Sequence, residues 1–465
     1  MNPAPVKSPW QRPTITVHKV GILNKFGSTH FHRITDRVDG VEIRHLLAEH
    51  GSPLFVLSEQ RLRANVRRLR RAFLTRYPSV KIGWSYKTNY LNAVCAVMHQ
   101  EGSLAEVVSD FEYEKARNLG VPGPSILFNG PYKPRPILER VVDEGARVHL
   151  DNLDELYLLE DVARKKDKQV AVTLRLNFDT GYTDPWSRFG FNVEAGQAMD
   201  AAKRLAASGY LRLKGLHSHI GTFILDTRAY AAQARIMVAF MDAVEHEADC
   251  VIESLDLGGG FASMNALQGS YLPPEQTVPS FDQYAEAITA ELLDATRARE
   301  SRGLPRPTLI LETGRALVDD AEILVASVVA NKRLADGRRS VVLDGGVNLL
   351  FTGFWYNHDV RPTRLLEGIP EETVIYGPLC MNIDVMRHSI SLPPLDVGEP
   401  LVFSPAGAYN NTQWMQFITY RPAVVMVGED GRTDLIRSAE NLESINGPER
   451  IPERLKKLEL QASPK

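Results

Sequence analysis

From about Leu54 to Val318 the chain alternates short β-rich segments with helix-compatible stretches, and this rhythm limits its possible folds more than any other feature. Leu54–Leu57 precedes the amphipathic Glu59–Arg76, Lys81–Tyr86 precedes Leu91–Gln100, and Val170–Leu176 precedes Asn192–Ser208. Leu213–His219, Ser254–Leu257 and Thr308–Leu311 are each followed by a further helical stretch. A strand that returns through a helix pairs in parallel with its predecessor, so the segment predicts a layered α/β sheet or a closed barrel. Polar and Gly-rich clusters lie directly after strands, at Lys87, His219, Gly258 and Glu312, which favours a (β/α)8 barrel with its site at the C-terminal strand ends. Beyond Asp320 the texture changes to β-branched runs at Ile323–Val329, Ser340–Leu343, Pro400–Phe403 and Arg421–Val427, which read as a mostly β second domain. The polar, Pro-containing Ser263–Pro279 reads as a surface insertion, and the ends, Met1–Pro13 and Gln461–Lys465, as frayed.

Charge narrows the partners. With 54 basic and 57 acidic side chains the net charge is -3, so no overall field exists to hold a nucleic acid or an anionic membrane, and neither is expected. No apolar run reaches the roughly 18 residues of a spanning helix. Cys95, Cys250 and Cys380 lack metal-ligand spacing and are odd in number, which points to a reducing compartment, hence a cytoplasmic protein.

Five clusters carry chemistry. On a strand, Gly83, Ser85 and Lys87 share a face, so a lysine rises above small neighbours, an arrangement that leaves room for a planar cofactor and suits covalent amine chemistry. Alone, it is also how a strand-end lysine reaching for solvent would look. His217 and His219 share a face too, but no third ligand follows at a familiar interval, so no metal is expected. His219 is the candidate for stacking on an aromatic cofactor, and His217 reads as a satisfied core histidine. Gly258-Gly259-Gly260 after Asp256 forms either an anion nest or a plain tight turn. Glu312 and Arg315 after another strand could meet a pyridine nitrogen and a phosphate, or simply pair with each other. Cys380, after Gly377-Pro-Leu and before polar residues, sits in a setting suited to an exposed reactive thiol, whereas Cys95 and Cys250 read as small buried hydrophobes.

Taken in order, Tyr86-Lys87-Thr-Asn89, His217-Ser-His219-Ile-Gly221-Thr222, Asp256-Leu-Gly258-Gly259-Gly260-Phe261, Glu312-Thr-Gly314-Arg315, Gly377-Pro-Leu-Cys380 and Gly407-Ala-Tyr409 resemble the motifs of the fold-type III pyridoxal phosphate decarboxylases. That group includes the diaminopimelate, ornithine and arginine decarboxylases. The resemblance implies an alanine-racemase-like (β/α)8 TIM barrel over residues 49–318, with a β domain formed by residues 319–465 and joined by the N-terminal stretch 1–48. It implies pyridoxal 5'-phosphate on Lys87, His219 against the ring face, and Glu312 on the pyridine nitrogen. Thr222, Gly259, Gly260, Arg315 and Tyr409 would hold the phosphate, with Arg175 and Glu106 as supporting polar groups. Cys380 would serve the reacting carbon from the partner subunit of a homodimer with shared sites.

Two departures bear on the substrate. Met381 follows Cys380 where diaminopimelate and ornithine decarboxylases carry an acid, and the stretch after Asp344-Gly-Gly346 offers Thr352 and Tyr356 where the former carry an arginine and a tyrosine. Tyr356, His358, Arg361 and Met381 are therefore the candidates for reading the substrate's tail. The expectation is decarboxylation of an amino-acid-headed metabolite in specialised, siderophore or antibiotic-like, biosynthesis. The alternatives are diaminopimelate decarboxylase proper and a non-catalytic paralogue that acts as a regulatory binding protein.

Overall fold

A computed structural model describes residues 33–270 and 272–456; the two expected frayed ends lie outside them, as does most of the N-terminal stretch. Eight parallel strands close a barrel: β1 (Val80–Ser85), β2 (Leu104–Val107), β3 (Ile126–Phe128), β4 (Arg147–Leu150), β5 (Val170–Asn177), β6 (Leu211–Ser218), β7 (Ser254–Asp256) and β8 (Thr308–Leu311). β8 returns to β1 with Leu309 opposite Val80, so the barrel keeps no free edge. Because β8 is followed only by the one-turn helix Arg315–Val318, the outer ring is completed by helix Glu59–Leu74, which packs against Phe281–Ala295. Its buried face carries Leu62, Val66, Leu69 and Phe73 at three- and four-residue spacing. Asn65 on the same face is buried too, and bonds the carbonyl of Leu317 at 3.0 Å and Asp320 at 2.6 Å.

The sequence pattern misplaces one strand. Leu54–Ser58, which opens the alternation, is not part of the barrel: it pairs antiparallel with Glu322–Arg333, Val56 opposite Ile323, and parallel with Ala423–Val427. A short, wholly apolar run suits any strand buried on both faces, so periodicity could not assign it to a sheet. The barrel thus begins at helix Glu59–Leu74 rather than at residue 49, and Ser58 ends the strand and caps that helix, accepting from the Arg61 N–H at 2.9 Å. The helix expected over Asn192–Ser208 likewise begins later, at Gln197, after a short strand Phe191–Asn192 and Gly196 at φ +80°.

The second domain is a sheet around the twelve-residue strand Glu322–Arg333, which bonds Leu54–Ser58, Arg339–Leu343 and Pro400–Ser404, all antiparallel. Alternate residues feed two cores. Leu54 and Val56 meet Ile43 and Leu46 of helix Ile43–His50, while Phe55 meets Leu324, Ala326 and Phe403 on the opposite side.

The two domains are stitched through the segment 405–412. The Tyr409 N–H donates to the Thr88 carbonyl at 2.8 Å and the Thr412 hydroxyl to the Lys87 carbonyl at 2.8 Å, so the turn that carries Lys87 is held by the β domain. Behind it, buried Glu322 accepts from Asn89 at 3.1 Å and Asn411 at 2.8 Å. Burial pushes the Glu322 carboxyl up to about 8. The folded protein therefore keeps a proton that the unfolded chain releases near its ordinary value, so stability falls as pH rises between roughly 4.5 and 8. Glu322→Gln should make the melting temperature fall less steeply with pH across that window than in the wild type. Parallel melting curves would exclude Glu322 as a source of the slope.

Candidate active site

A cavity of about 590 Å³ opens at the C-terminal ends of the barrel strands, walled on one side by Thr352, Trp355, Tyr356, Tyr409 and Gln413 of the second domain. Lys87 stands on a 3-10 turn just past β1, its Nζ 2.8 and 3.0 Å from the two carboxylate oxygens of Glu106. Glu106 is buried at the neighbouring β2 and also accepts from the Ser85 hydroxyl at 2.5 Å. Gly83 lies below them: a Cβ there would meet the Glu106 Cβ at 3.5 Å. Burial works against the charge on Lys87, but Glu106, with Glu312 and Tyr409 further off, lifts the amine above its ordinary value. Burial lifts Glu106 in turn, so the pair holds its proton tightly.

At the floor, Glu312 is gripped by His217 Nε2 at 3.1 Å and by Asn129 Nδ2 at 3.2 and 3.4 Å. His219 sits beside the cavity, its Nδ1 accepting the Gly259 N–H at 3.2 Å, with Trp186 packed edge-on at 5.1 Å. Burial holds its imidazole well below the usual range, hence neutral. Arg175 is buried, stacked over Phe189 at 4.5 Å and paired with Asp151 at 3.4 Å.

The other end of the cavity presents donors. A Cβ on Gly259 would fall 2.5 Å from the Glu312 carbonyl, and one on Gly260, at φ +97°, 2.4 Å from the Gly221 carbonyl, so both positions tolerate only glycine and leave bare backbone facing the space. Arg315 lies between the rings of Tyr356 and Tyr409, at 4.8 and 4.9 Å. Its Nε and Nη1 are buried without a hydrogen-bond partner, and its counter-charge Asp319 stands off at 4.0 Å. Thr222 lines the same cavity.

This set fits pyridoxal phosphate: an unsatisfied guanidinium and a glycine cradle for a phosphate, a buried carboxylate for a ring nitrogen, and an amine between them. The family model for the pyridoxal-binding domain of pyridoxal-dependent decarboxylases matches residues 63–319, more than half of the chain. The chain belongs to that family. It is a pyridoxal phosphate-dependent amino-acid decarboxylase. Among its relatives, the diaminopimelate decarboxylase of Methanothermobacter thermautotrophicus is 28% identical over 90% of this chain and 96% of its own length. That of Bacillus subtilis is 27% identical over 88% and 93%. The crystal structure of the M. jannaschii diaminopimelate decarboxylase superposes with a TM-score of 0.82 at 26% identity, over 91% of this chain and 98% of the other.

Of the predicted residues, the fold brings Lys87, Arg175, His219, Thr222, Gly259, Gly260, Glu312, Arg315, Tyr356 and Tyr409 to one cavity, with Glu106 behind Lys87. Three tail-reading candidates stand elsewhere. His358 is buried beneath the wall, bonded to Thr352 at 3.0 Å and the Pro405 carbonyl at 2.6 Å. Arg361 lies on strand Asp359–Pro362 and pairs with Asp359, and Met381 packs on the second domain's core. Cys380 is exposed and outside the cavity lining.

Sequence reasoning missed the grip on Glu312. Asn129 lies just past the end of β3, the same signal that singled out Lys87, and His217 is the buried, hydrogen-bonded histidine expected, with Glu312 as its partner. The insertion reading of Ser263–Pro279 also needs correction. Asn357 N–H donates to the Ala266 carbonyl at 2.7 Å and Gln268 N–H to the Trp355 carbonyl at 2.8 Å, which seats Leu267 in the cavity wall.

Arg315→Met should leave the apoprotein folded, as judged by its melting temperature, and weaken pyridoxal phosphate about tenfold or more, since a charge-assisted donor pair is lost. Fluorescence titration of the apoprotein reads this, and an unchanged dissociation constant would move the phosphate elsewhere.

Proposed function

We propose that the enzyme removes an α-carboxylate from diaminopimelate. One observation carries the reading: relatives named for that reaction align over about nine tenths of the chain, beyond the barrel and into the second domain that walls the cavity. Lys87 would anchor the cofactor, and Glu106, already bonded to its amine, would take the proton that the ammonium must give up. Pyridoxal phosphate, when bound, supplies an electron sink for the carbanion left as carbon dioxide departs. Glu312 would hold the ring nitrogen, His219 the ring face, and Thr222, Gly259, Gly260, Arg315 and Tyr409 the phosphate. Arg175, fixed by Asp151, would support the ring's rim. Cys380, exposed and away from its own cavity, would act in the partner subunit's site of a homodimer, holding or delivering a proton at the substrate's α-carbon. The three unpaired thiols favour a cytoplasmic setting.

A second reading is an amino-acid-headed siderophore or antibiotic precursor. Thr352 favours it: the hydroxyl is buried and bonded to Asn410 at 2.9 Å and His358 at 3.0 Å, at the position where the resemblance puts an arginine for a distal carboxylate.

Carbon dioxide release from meso-diaminopimelate, ornithine, lysine and a citrate-conjugated diamino acid separates the two readings. Turnover of diaminopimelate above the rest supports the first, and turnover of the conjugate alone overturns it in favour of the second. Mixing Lys87→Ala with Cys380→Ala subunits, each inactive or severely slowed alone, should restore a fraction of wild-type activity through the mixed dimer's one intact site. No recovery despite proven mixing would sink the shared site.

A further inference from the structure

Under the floor of the cavity lie two acids more than the surrounding cations match. His149 at β4, His217 at β6, Asp256 at β7 and Glu312 past β8 are all buried, and one potential ligand atom from each lies within 4.8 Å of the others. His217 Nε2 lies 3.1 Å from Glu312 and 3.2 Å from Asn129 Nδ2, and its Nδ1 is buried without a partner. Asp256 Oδ1 accepts the Gly258 N–H at 2.9 Å, while Oδ2 is buried with no donor. The cations facing this layer are already matched: Lys87 by Glu106 at 2.8 Å, Arg175 by Asp151 at 3.4 Å and Lys133 by Glu155 at 2.5 Å. Burial holds His149, His217 and His219 neutral. Among the described residues Glu312 and Asp256 are left facing each other and Glu106 with no cation of their own, and two adjacent carboxylates in a dry interior cannot both ionise.

We infer that Asp256 is a positioning residue, a neutral acid that shares its one proton with Glu312 and so leaves Glu312 as the single anion offered to a ring nitrogen. Burial and the charge on Glu312 both raise the Asp256 carboxyl well above its ordinary value, in keeping with that state. The inference holds whichever amino acid the enzyme decarboxylates.

Asp256→Asn keeps the shape and a hydrogen-bond donor. In the cofactor-free protein near neutral pH, its infrared spectrum should lack one protonated-carboxyl stretch that the wild type shows. The folded wild type holds a proton that the unfolded chain releases above about pH 4, so Asp256 lowers stability as pH rises, and the melting temperature of Asp256→Asn should fall less steeply. Its pyridoxal phosphate dissociation constant should stay within about threefold of the wild type, while Asp256→Leu, which has no donor, should weaken binding about tenfold. An unchanged infrared band, a parallel pH slope, or equal binding by Asp256→Asn and Asp256→Leu overturns the assignment. Should Asp256→Asn fail to fold, Glu312→Gln serves instead. With the neighbouring charge gone, the protonated-carboxyl band should vanish at a lower pH than in the wild type, and persistence to the wild-type pH would overturn the inference.

Discussion

Asp319, buried where the barrel ends and the second domain begins, is the junction on which the site's geometry depends. Its carboxylate accepts the Ser263 hydroxyl and, at 3.2 Å, the Ala408 N–H, while its carbonyl accepts the Gly407 N–H at 3.0 Å. One side chain thus joins the insertion, the barrel's last turn and the β-domain segment that carries Tyr409. The same carboxylate stands 4.0 Å from Arg315, close enough to orient the guanidinium but beyond hydrogen-bond reach. Arg315 therefore remains free to meet a ligand. The cavity lies at this junction because neither domain alone supplies both the barrel floor and the aromatic wall.

Charge matching around the cavity is selective. Lys87, Arg175 and Lys133 each have a carboxylate within 3.4 Å, whereas among the described residues Arg315 has no hydrogen-bond partner for Nε or Nη1 at one end and Glu312 has no cation at the other. A buried charge without a close partner is costly, so a ligand anionic at the Arg315 end and cationic at the Glu312 end would relieve both groups. Pyridoxal phosphate has that polarity. At a hundredfold its dissociation constant such a ligand adds about 2.7 kcal/mol to the stability of the fold, so cofactor binding and folding reinforce each other.

The motifs were legible in the sequence because a barrel builds its site from strand ends, and strand ends are visible as polar residues after apolar runs. Lys87, His219, Gly258 and Glu312 stand out that way, and Asn129, directly after Ile126–Phe128, carries the same signal. What periodicity could not supply was sheet membership. Leu54–Ser58 reads like a barrel strand and pairs in the other sheet, since its neighbours are hundreds of residues away in sequence. His358 misled for a related reason: a polar residue beside Tyr356 looks like a site residue, yet the loop turns it inward, where it props the wall through Thr352 and Pro405.

That wall sets the remaining question of what the tail of the substrate meets. Trp355 and Tyr356 come from the second domain, Leu267 from the insertion, Phe223 from the loop after β6, and Trp186 and Phe189 from the loop after β5, all lining one cavity. Phe223 and Tyr356 pack at 4.9 Å, and the backbone bridge between Leu267 and Tyr356 fixes the relation of insertion to wall. Rings held this way give area and shape but no counter-charge, and the cations of the same cavity, Lys87, Arg175 and Arg315, stand on the barrel side, so the wall itself reads shape rather than charge.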